Sequence, residues 1–131
     1  MSTNNFTNTP RKAAAVGFLQ MVVAGKIHEA YDKYISPDFI HHNPYFKGDR
    51  HSLMTAMEEN ERVNPGKMLE VQHVVEEGDI VMVHSRLRFK QPQAPEMTVV
   101  HIFCFAGNLA VEAWDIGMAA PPQSPNENGM F

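Results

Sequence analysis

The chain has 131 residues, of which 44% are hydrophobic, with a formal net charge of −4 and a pI near 5.9. This length suffices for one domain with a single core, and the acidic balance argues against nucleic acid or an anionic membrane as a partner. The single cysteine, Cys104, excludes an internal disulfide and a thiolate metal site.

The whole chain, residues 1–131, is predicted to be one domain with a flexible N-terminus at 1–9 and an extended tail at 119–131. Its polar beginning lacks the apolar run of a secretion signal, and no segment has membrane-spanning length, so we expect a cytoplasmic protein. The tail ends in the apolar pair Met130-Phe131, which we expect to dock onto the domain or onto a partner.

The first half of the domain is predicted to be helical. Start and stop signals predict three helices. The first begins at Thr9-Pro10 and ends at Gly25, the second runs from Ile27 to Ser36-Pro37, and the third begins at Gly48-Asp49 and ends at Asn64-Pro65-Gly66. Between the second and third helices, Phe39 and Ile40 begin a short extended piece that runs into His41-His42-Asn43-Pro44.

After Gly66 the hydrophobic period changes from helical to extended. Turn signals separate four predicted strands, at roughly residues 68–76, 80–90, 97–105 and 109–117. Short links between consecutive strands favour an antiparallel meander. Helices followed by strands indicate an α+β domain in which the helices cover one face of a curved sheet.

The last strand pair, residues 99–117, places His101 and Asp115 among apolar neighbours. A carboxylate in apolar surroundings is costly to keep charged, and such groups can exchange protons near neutral pH. An Asp at such a position can equally be a paired, structural group.

The register of this hairpin decides whether the two side chains share a face. With a two-residue turn at Gly107-Asn108, His101 opposes Trp114 and Asp115 faces away. A three-residue loop with a G1-type bulge opposes His101 to Ala113 and brings Asp115 onto the same face. We favour the second register because it separates the faces better, with Val111 on the face of His101; otherwise the pairing requires a bulge elsewhere.

Three more polar groups are candidates for the same site. His84, on a central strand, is either a buried neutral imidazole or a second polar group beside Asp115. At most one of His41 and His42 can enter a pocket, because adjacent strand residues point to opposite faces. Asn43 either orients a ligand carbonyl or starts the turn at Pro44. No pair of histidines with His-x-x-x-His spacing supports a metal site, and no nucleophile motif is present.

Four segments together resemble the SnoaL-like polyketide cyclase family of the nuclear-transport-factor-two-like (cystatin-like) superfamily. They are 34-YISPDFIHHNP-44 followed by Gly48, 78-GDIVMVHSRL-87, 101-HIFCFAGNLAVEAWD-115 and the ending 126-NENGMF-131. Their combination is typical of a subgroup described as predicted aldol-condensation catalysts.

The resemblance implies a conical α+β barrel with a deep apolar pocket between the helices and a strongly curved, mostly antiparallel sheet. It implies a homodimer formed through the sheet, and chemistry without a metal or an organic cofactor. Asp115 matches the family's acid/base residue and His101 the histidine beside it. His42, Asn43 and His84 match polar positions of the subgroup.

Two functions compete on this scaffold. The first is a metal-free enzyme that uses Asp115 and His101 for aldol condensation, cyclisation or a related enolisation of a hydrophobic, polyketide-like carbonyl substrate. In this enzyme, the substrate is bound by His84, His42 and Asn43, and the pocket walls are formed by Phe46, Phe103 and Trp114.

The second function is that of a non-catalytic binding or dimerisation module. Epoxide hydrolysis ranks lower because no polar trio for an activated water is apparent. Enclosure of Asp115 and His101 in one cavity favours the enzyme, whereas pairing of Asp115 with Arg86 or Arg88 argues against it.

Overall fold

A computed structural model describes residues 3–131 of the chain. A short 3-10 turn at Thr3–Phe6 precedes three helices and five strands. The helices are α1 (Pro10–Val23), α2 (Ile27–Tyr34) and α3 (Arg50–Val63), and the strands are β1 (Ile35–His41), β2 (Met68–Glu77), β3 (Ile80–Arg88), β4 (Met97–Ala106) and β5 (Leu109–Ala119). No helix in this range is long and apolar enough to cross a membrane.

Side-chain caps fix the predicted starts of two helices. The Thr9 side chain accepts a hydrogen bond from the Lys12 amide, with Pro10 in the first turn of α1. Asp49 caps α3 in the same way through the Ser52 amide at 3.0 Å. The expected extended piece is longer than predicted, because β1 already begins at Ile35 and runs through Ser36-Pro37.

The five strands form one mixed sheet in the order β1-β5-β4-β3-β2. Strands β2 to β5 make the predicted antiparallel meander, and β1 adds to its end parallel to β5. The parallel pairing sets His41 beside Ala113, so the turn after β1 lies next to the second half of β5.

The helices pack on one face of this sheet, which we call the inner face. Phe18 of α1 contacts Tyr31 of α2 and Phe103 of β4 edge to face, with ring centroids 5.3 and 5.8 Å apart. Val81, Val83 and the other buried side chains of the inner face belong to the same core cluster. The fold is therefore an α+β cone whose wide interior is filled partly by aromatic side chains.

The hairpin of β4 and β5 differs from the favoured prediction. The turn has two residues, and Gly107 adopts φ 60°, the positive value required at the first central position of a II′-type turn. The bulge lies at Val111 instead, between the pairs Phe105–Ala110 and Cys104–Glu112. The three-residue loop and the placement of Val111 on the inner face were therefore wrong, because the extra residue is accommodated within β5.

The bulge at Val111 nevertheless gives the predicted result for the two site residues. His101 pairs directly with Asp115, not with Ala113, and both lie on the inner face. The tail after Ala119 returns to the opposite, outer face, where the Phe131 ring lies against His84 and the guanidinium of Arg86.

Candidate active site

A small recess of about 30 Å³ lies between α2, the turn after β1 and the inner face of β4 and β5. Five of its lining side chains are polar: Tyr31, His41, Asn43, His101 and Asp115. The rest of the lining is mainly apolar and includes Phe103. This volume has room for one water molecule or one carbonyl group.

Asn43 and His41 hold Asp115 at the recess. Asn43 Nδ2 donates to Asp115 Oδ2 at 3.0 Å, while Asn43 Oδ1 accepts the Tyr45 amide at 3.0 Å. The buried His41 donates from Nε2 to the Lys47 carbonyl at 2.7 Å, and its Nδ1 accepts the Asn43 amide at 3.1 Å. The predicted turn role of Asn43 is confirmed, and its amide nitrogen donates a hydrogen bond to Asp115. The predicted contact of Asn43 with a ligand carbonyl stays a prediction.

His101 faces Asp115 across the strand pair and is half-buried. Within residues 3–131 its buried Nδ1 has no hydrogen-bond partner. Burial lowers the pKa of His101 below its ordinary value, and the negative charge of Asp115 opposes this shift in part. The ring is therefore neutral at pH 7, and it can offer one N–H to a ligand oxygen.

Tyr31 is a site residue that the sequence did not reveal. Its side chain is buried, and among the described residues its hydroxyl donates only a long bond of 3.6 Å to Met57 Sδ. Burial raises the pKa of Tyr31, Arg50 opposes the shift and Asp115 adds to it, so the phenol stays protonated at neutral pH. The single signal in the sequence was a hydroxyl on the apolar stripe of α2, which is also typical of a core tyrosine.

A larger cavity of about 310 Å³ adjoins the recess and shares Phe18, Met57 and His101 with it. Its walls come from α1, α3 and strands β2 to β4, and are almost entirely apolar. Phe46, predicted as a wall residue, lines this cavity. Its volume lies at the lower end of the range for small-molecule pockets.

Three predicted site residues lie largely outside this interior. His84 is on the outer face, where its Nε2 is 2.8 Å from Thr98 Oγ1 and its Nδ1 is 3.0 Å from His73 Nδ1. The prediction that His84 enters the pocket is wrong because Val83 and Ser85, its strand neighbours, occupy the inner face.

His42 is also directed outward, since His41 takes the inward position. The His42 ring stacks on the Trp114 indole with centroids 5.0 Å apart, and its Nε2 is 2.6 Å from Glu112 Oε2. Trp114 borders the recess, but its indole lies with His42 on the outer face. The prediction that His42 enters the pocket is wrong, whereas Trp114 contributes to the recess lining as predicted.

The arginines that would have argued against a catalytic Asp115 have other partners. Arg86 pairs with Glu96 at 2.8 Å, and Arg88 lies 3.7 Å from Glu70. Across residues 3–131, no three His, Cys, Asp or Glu side chains are arranged to hold a metal ion.

The sequence profile of the SnoaL-like domain matches residues 15–113, three quarters of the chain. The chain belongs to the SnoaL-like domain family. The match includes His101 and ends two residues before Asp115. No curated protein sequence matches the chain.

Several solved structures have a similar fold. A candidate polyketide cyclase from Acidithiobacillus ferrooxidans has a TM-score of 0.73 at 20% identity, covering 89% of this chain and 91% of that chain. AclR from Streptomyces galilaeus, a candidate hydroxylase, has a TM-score of 0.71 at 21% identity, with 85% and 80% covered. An NTF-2-like protein of unknown function from Burkholderia xenovorans has a TM-score of 0.70 at 18% identity, with 88% of each chain covered. At these identities the likeness shows the fold alone.

Proposed function

We propose that this SnoaL-like domain is an acid/base enzyme that enolises a hydrophobic carbonyl compound and closes it by an aldol reaction. The observation that supports this most strongly is the direct opposition of Asp115 and His101 in a recess that opens toward an apolar cavity. Asn43 supports it further by holding the carboxylate with a 3.0 Å hydrogen bond.

In the proposed reaction, the substrate carbonyl oxygen enters the recess and its carbon skeleton lies in the large cavity. The Asp115 carboxylate removes the proton from the α carbon, and that C–H bond's electron pair becomes the enolate. The Tyr31 hydroxyl and the N–H of neutral His101 donate hydrogen bonds to the enolate oxygen.

The second half of the reaction returns the proton. The enolate carbon attacks a second carbonyl of the same substrate and forms the new C–C bond. The resulting alkoxide takes the proton from Asp115, so the carboxylate is regenerated and no other reactant is consumed. The apolar walls exclude water, which strengthens these electrostatic interactions.

Asp115→Asn tests this proposal because it is nearly isosteric and removes the base. A suitable probe is a phenyl-substituted 1,5-diketone, whose closure and loss of water give a conjugated cyclohexenone that absorbs in the ultraviolet. We expect the wild type to accelerate closure and Asp115→Asn to lower the rate by roughly 10³-fold, the size typical of a lost general base. Affinity for the diketone should remain within about twofold of the wild type, since the walls are unchanged.

Glu112→Gln is the matched control, because it removes a carboxylate from the outer face of the same strand. It should leave the rate unchanged. If Asp115→Asn closes the diketone as fast as the wild type, Asp115 is not the base. If the wild type closes it no faster than buffer alone, the domain is not an enzyme of this kind. If Asp115→Asn fails to fold, Asp115 is a structural residue.

We also propose that two copies pair through the outer face of the sheet. Two rows of side chains cross this face: Val75, Met82, Ile102 and Trp114 form one, and His73, His84, Val100 and Ile116 the other. Ile116 is 61% exposed and Met118, in the next row, 62% exposed. A broad apolar surface of this kind is typical of protein–protein contacts.

A further inference from the structure

The large cavity has a second polar end, remote from the recess. Lys67 and Asn60 line it there, at the link between α3 and β2. His101 is the other polar group in the lining. A molecule that fills the cavity therefore meets hydrogen-bonding groups at two places and apolar walls between them.

The sheet register shows how far apart these two places are. Met68, the residue after Lys67, pairs with Arg88 on β3, whereas His101 pairs with Val83. Lys67 lies one residue beyond Met68, so six residue steps along β3 separate the two levels. Because β2 and β4 are also two strands apart, the backbones of Lys67 and His101 are on the order of 20 Å apart. Their side chains extend into the same cavity from opposite ends.

The Lys67 ammonium is held in place and has one proton left for a ligand. Its Nζ donates to Glu61 Oε2 at 3.0 Å and to the Asn64 carbonyl at 3.0 Å. The Lys67 side chain is only 9% exposed and that of Glu61 20% exposed. Because an ammonium has three N–H donors, one remains after these two bonds.

The charge of this end favours a neutral oxygen over an anion. Glu61 already balances the positive charge of Lys67, so a ligand carboxylate would gain little attraction from the ammonium and would be repelled by Glu61. A carbonyl oxygen, by contrast, accepts the remaining N–H at a small desolvation cost. The Lys67–Glu61 pair therefore selects a ligand oxygen by hydrogen bonding and not by the net charge of the ligand.

We infer that Lys67 binds an uncharged carbonyl oxygen, of an ester, amide or ketone, at the end of the substrate remote from the enolised carbon. This inference rests on the proposed function for the orientation of the substrate. It narrows the substrate class to elongated hydrophobic molecules with an oxygen function at both ends.

Three naphthalenes with an acetyl group on one ring test this inference by calorimetric titration. The opposite ring bears a methyl ester, a carboxylate or an ethyl group. The wild type should bind the ester about tenfold more tightly than either the acid or the ethyl analogue, the gain expected from one hydrogen bond to a charged donor. Lys67→Met should bring the ester and the ethyl analogue within about twofold of each other.

Lys90→Met is the matched control. The Lys90 side chain packs beside Gly66 but does not line the cavity, so the ester preference should persist. Because Lys67→Met leaves Glu61 without its partner, the double variant Lys67→Met/Glu61→Gln is titrated as well, and thermal unfolding checks both. The inference is overturned if the wild type binds ester and ethyl analogue equally, if the acid binds best, or if both folded Lys67 variants keep the preference.

Asp115→Asn separates this inference from the proposed function. If that variant keeps full activity while the ester preference depends on Lys67, the proposed reaction fails and the binding role of Lys67 stands. If activity is lost in Asp115→Asn and the ester preference is absent from the wild type, the reaction stands and the role of Lys67 fails.

Discussion

Asn43 links the backbone turn after β1 to the candidate base through a single side chain. Its amide oxygen accepts the Tyr45 amide, and its amide nitrogen donates to Asp115. His41 Nδ1 accepts a hydrogen bond from the Asn43 backbone amide and so fixes the position of Asn43. Asp115 is thus held by a chain of hydrogen bonds that begins at the Lys47 carbonyl. Such supporting contacts keep a catalytic group in one orientation.

Tyr31→Phe should lower the enolisation rate by roughly tenfold to a hundredfold, because it removes one donor to the enolate oxygen. Stability should hardly change, since the hydroxyl donates only the long bond to Met57 among the described residues. Steady-state rates and thermal unfolding are the measurements. Tyr34→Phe, the same change on the same helix outside the recess, is the control, and equal losses in both variants would contradict the role of Tyr31.

The low pKa of His101 predicts how stability depends on pH. Below pH 6.5, the ordinary pKa of histidine, His101 binds a proton more readily in the unfolded chain than in the folded chain. The free energy of unfolding therefore falls as the pH falls below about 6.5. His84, whose pKa burial also lowers, contributes in the same direction. Denaturant unfolding between pH 7 and 5 should show that the free energy of unfolding declines less steeply in His101→Gln than in the wild type. An unchanged slope in that variant would contradict the burial of a neutral ring.

Strand β5 shows how one element determines which side chains meet. Without the bulge at Val111, a two-residue turn would oppose His101 to Trp114 and turn Asp115 outward. With it, Asp115, Ala113 and Ala110 face inward. The extra residue also places Glu112 and Trp114 outside, beside His42.

Register shifts within β5 test this directly. One alanine inserted after Ala113 should turn Asp115 to the outer face and abolish activity, because strand side chains alternate. The same insertion between Gly107 and Asn108 changes only the turn and should retain activity. Circular dichroism verifies that both variants fold. Activity in the Ala113 insertion, or its loss in the turn insertion alone, would contradict the assignment of faces.

The helices and the meander could be predicted from the sequence because their signals are local. Thr9-Pro10, Gly25 and Asp49 act on their own neighbourhoods, and the turns at Gly78 and Gly107 separate the strands of the meander. The family resemblance added the cone and the pairing of a histidine with an aspartate. The bulge position was not predictable, since Val111 has no turn residue beside it.

The parallel pairing of β1 with β5 is a nonlocal contact, and the position of His41 in the site, which the sequence did not settle, depends on it. It brings His41 and Asn43 to Asp115 across about 70 residues of sequence. The choice between His41 and His42 could not be made from alternation alone, because Phe39 and Ile40 are both apolar. Tyr31 could not be assigned to the site from the sequence either, because the apolar face of α2 contacts both the core and the recess.

At the scale of the whole molecule, the sheet separates two environments. Its inner face forms the core, the recess and the large cavity, while its outer face exposes Met82, Ile116 and Met118. The tail covers part of that outer face through Phe131, which lies over Arg86 with 4.9 Å from the guanidinium carbon to the ring centroid. The remaining apolar area is available for a second copy.

The proposed dimer predicts a solution mass of twice the 14.8 kDa of one chain. Ile116→Lys should halve that mass, because two copies would bury lysines against an apolar surface. Light scattering coupled to size exclusion measures it. Val63→Lys, an exposed apolar position on α3, is the control and should leave the dimer intact. A monomeric wild type, or a dimeric Ile116→Lys, would contradict pairing through this face.

The most direct test of the central claim is hydrogen exchange at the α carbon of a bound ketone, because it requires only the proton transfer and not the later ring closure. β-Tetralone in deuterated buffer, followed by nuclear magnetic resonance, reports the exchange rate. The wild type should exchange one α proton well above the buffer rate, and Asp115→Asn should lower this rate by roughly 10²-fold or more. Equal exchange in the wild type and in a folded Asp115→Asn would contradict the assignment of Asp115 as the base.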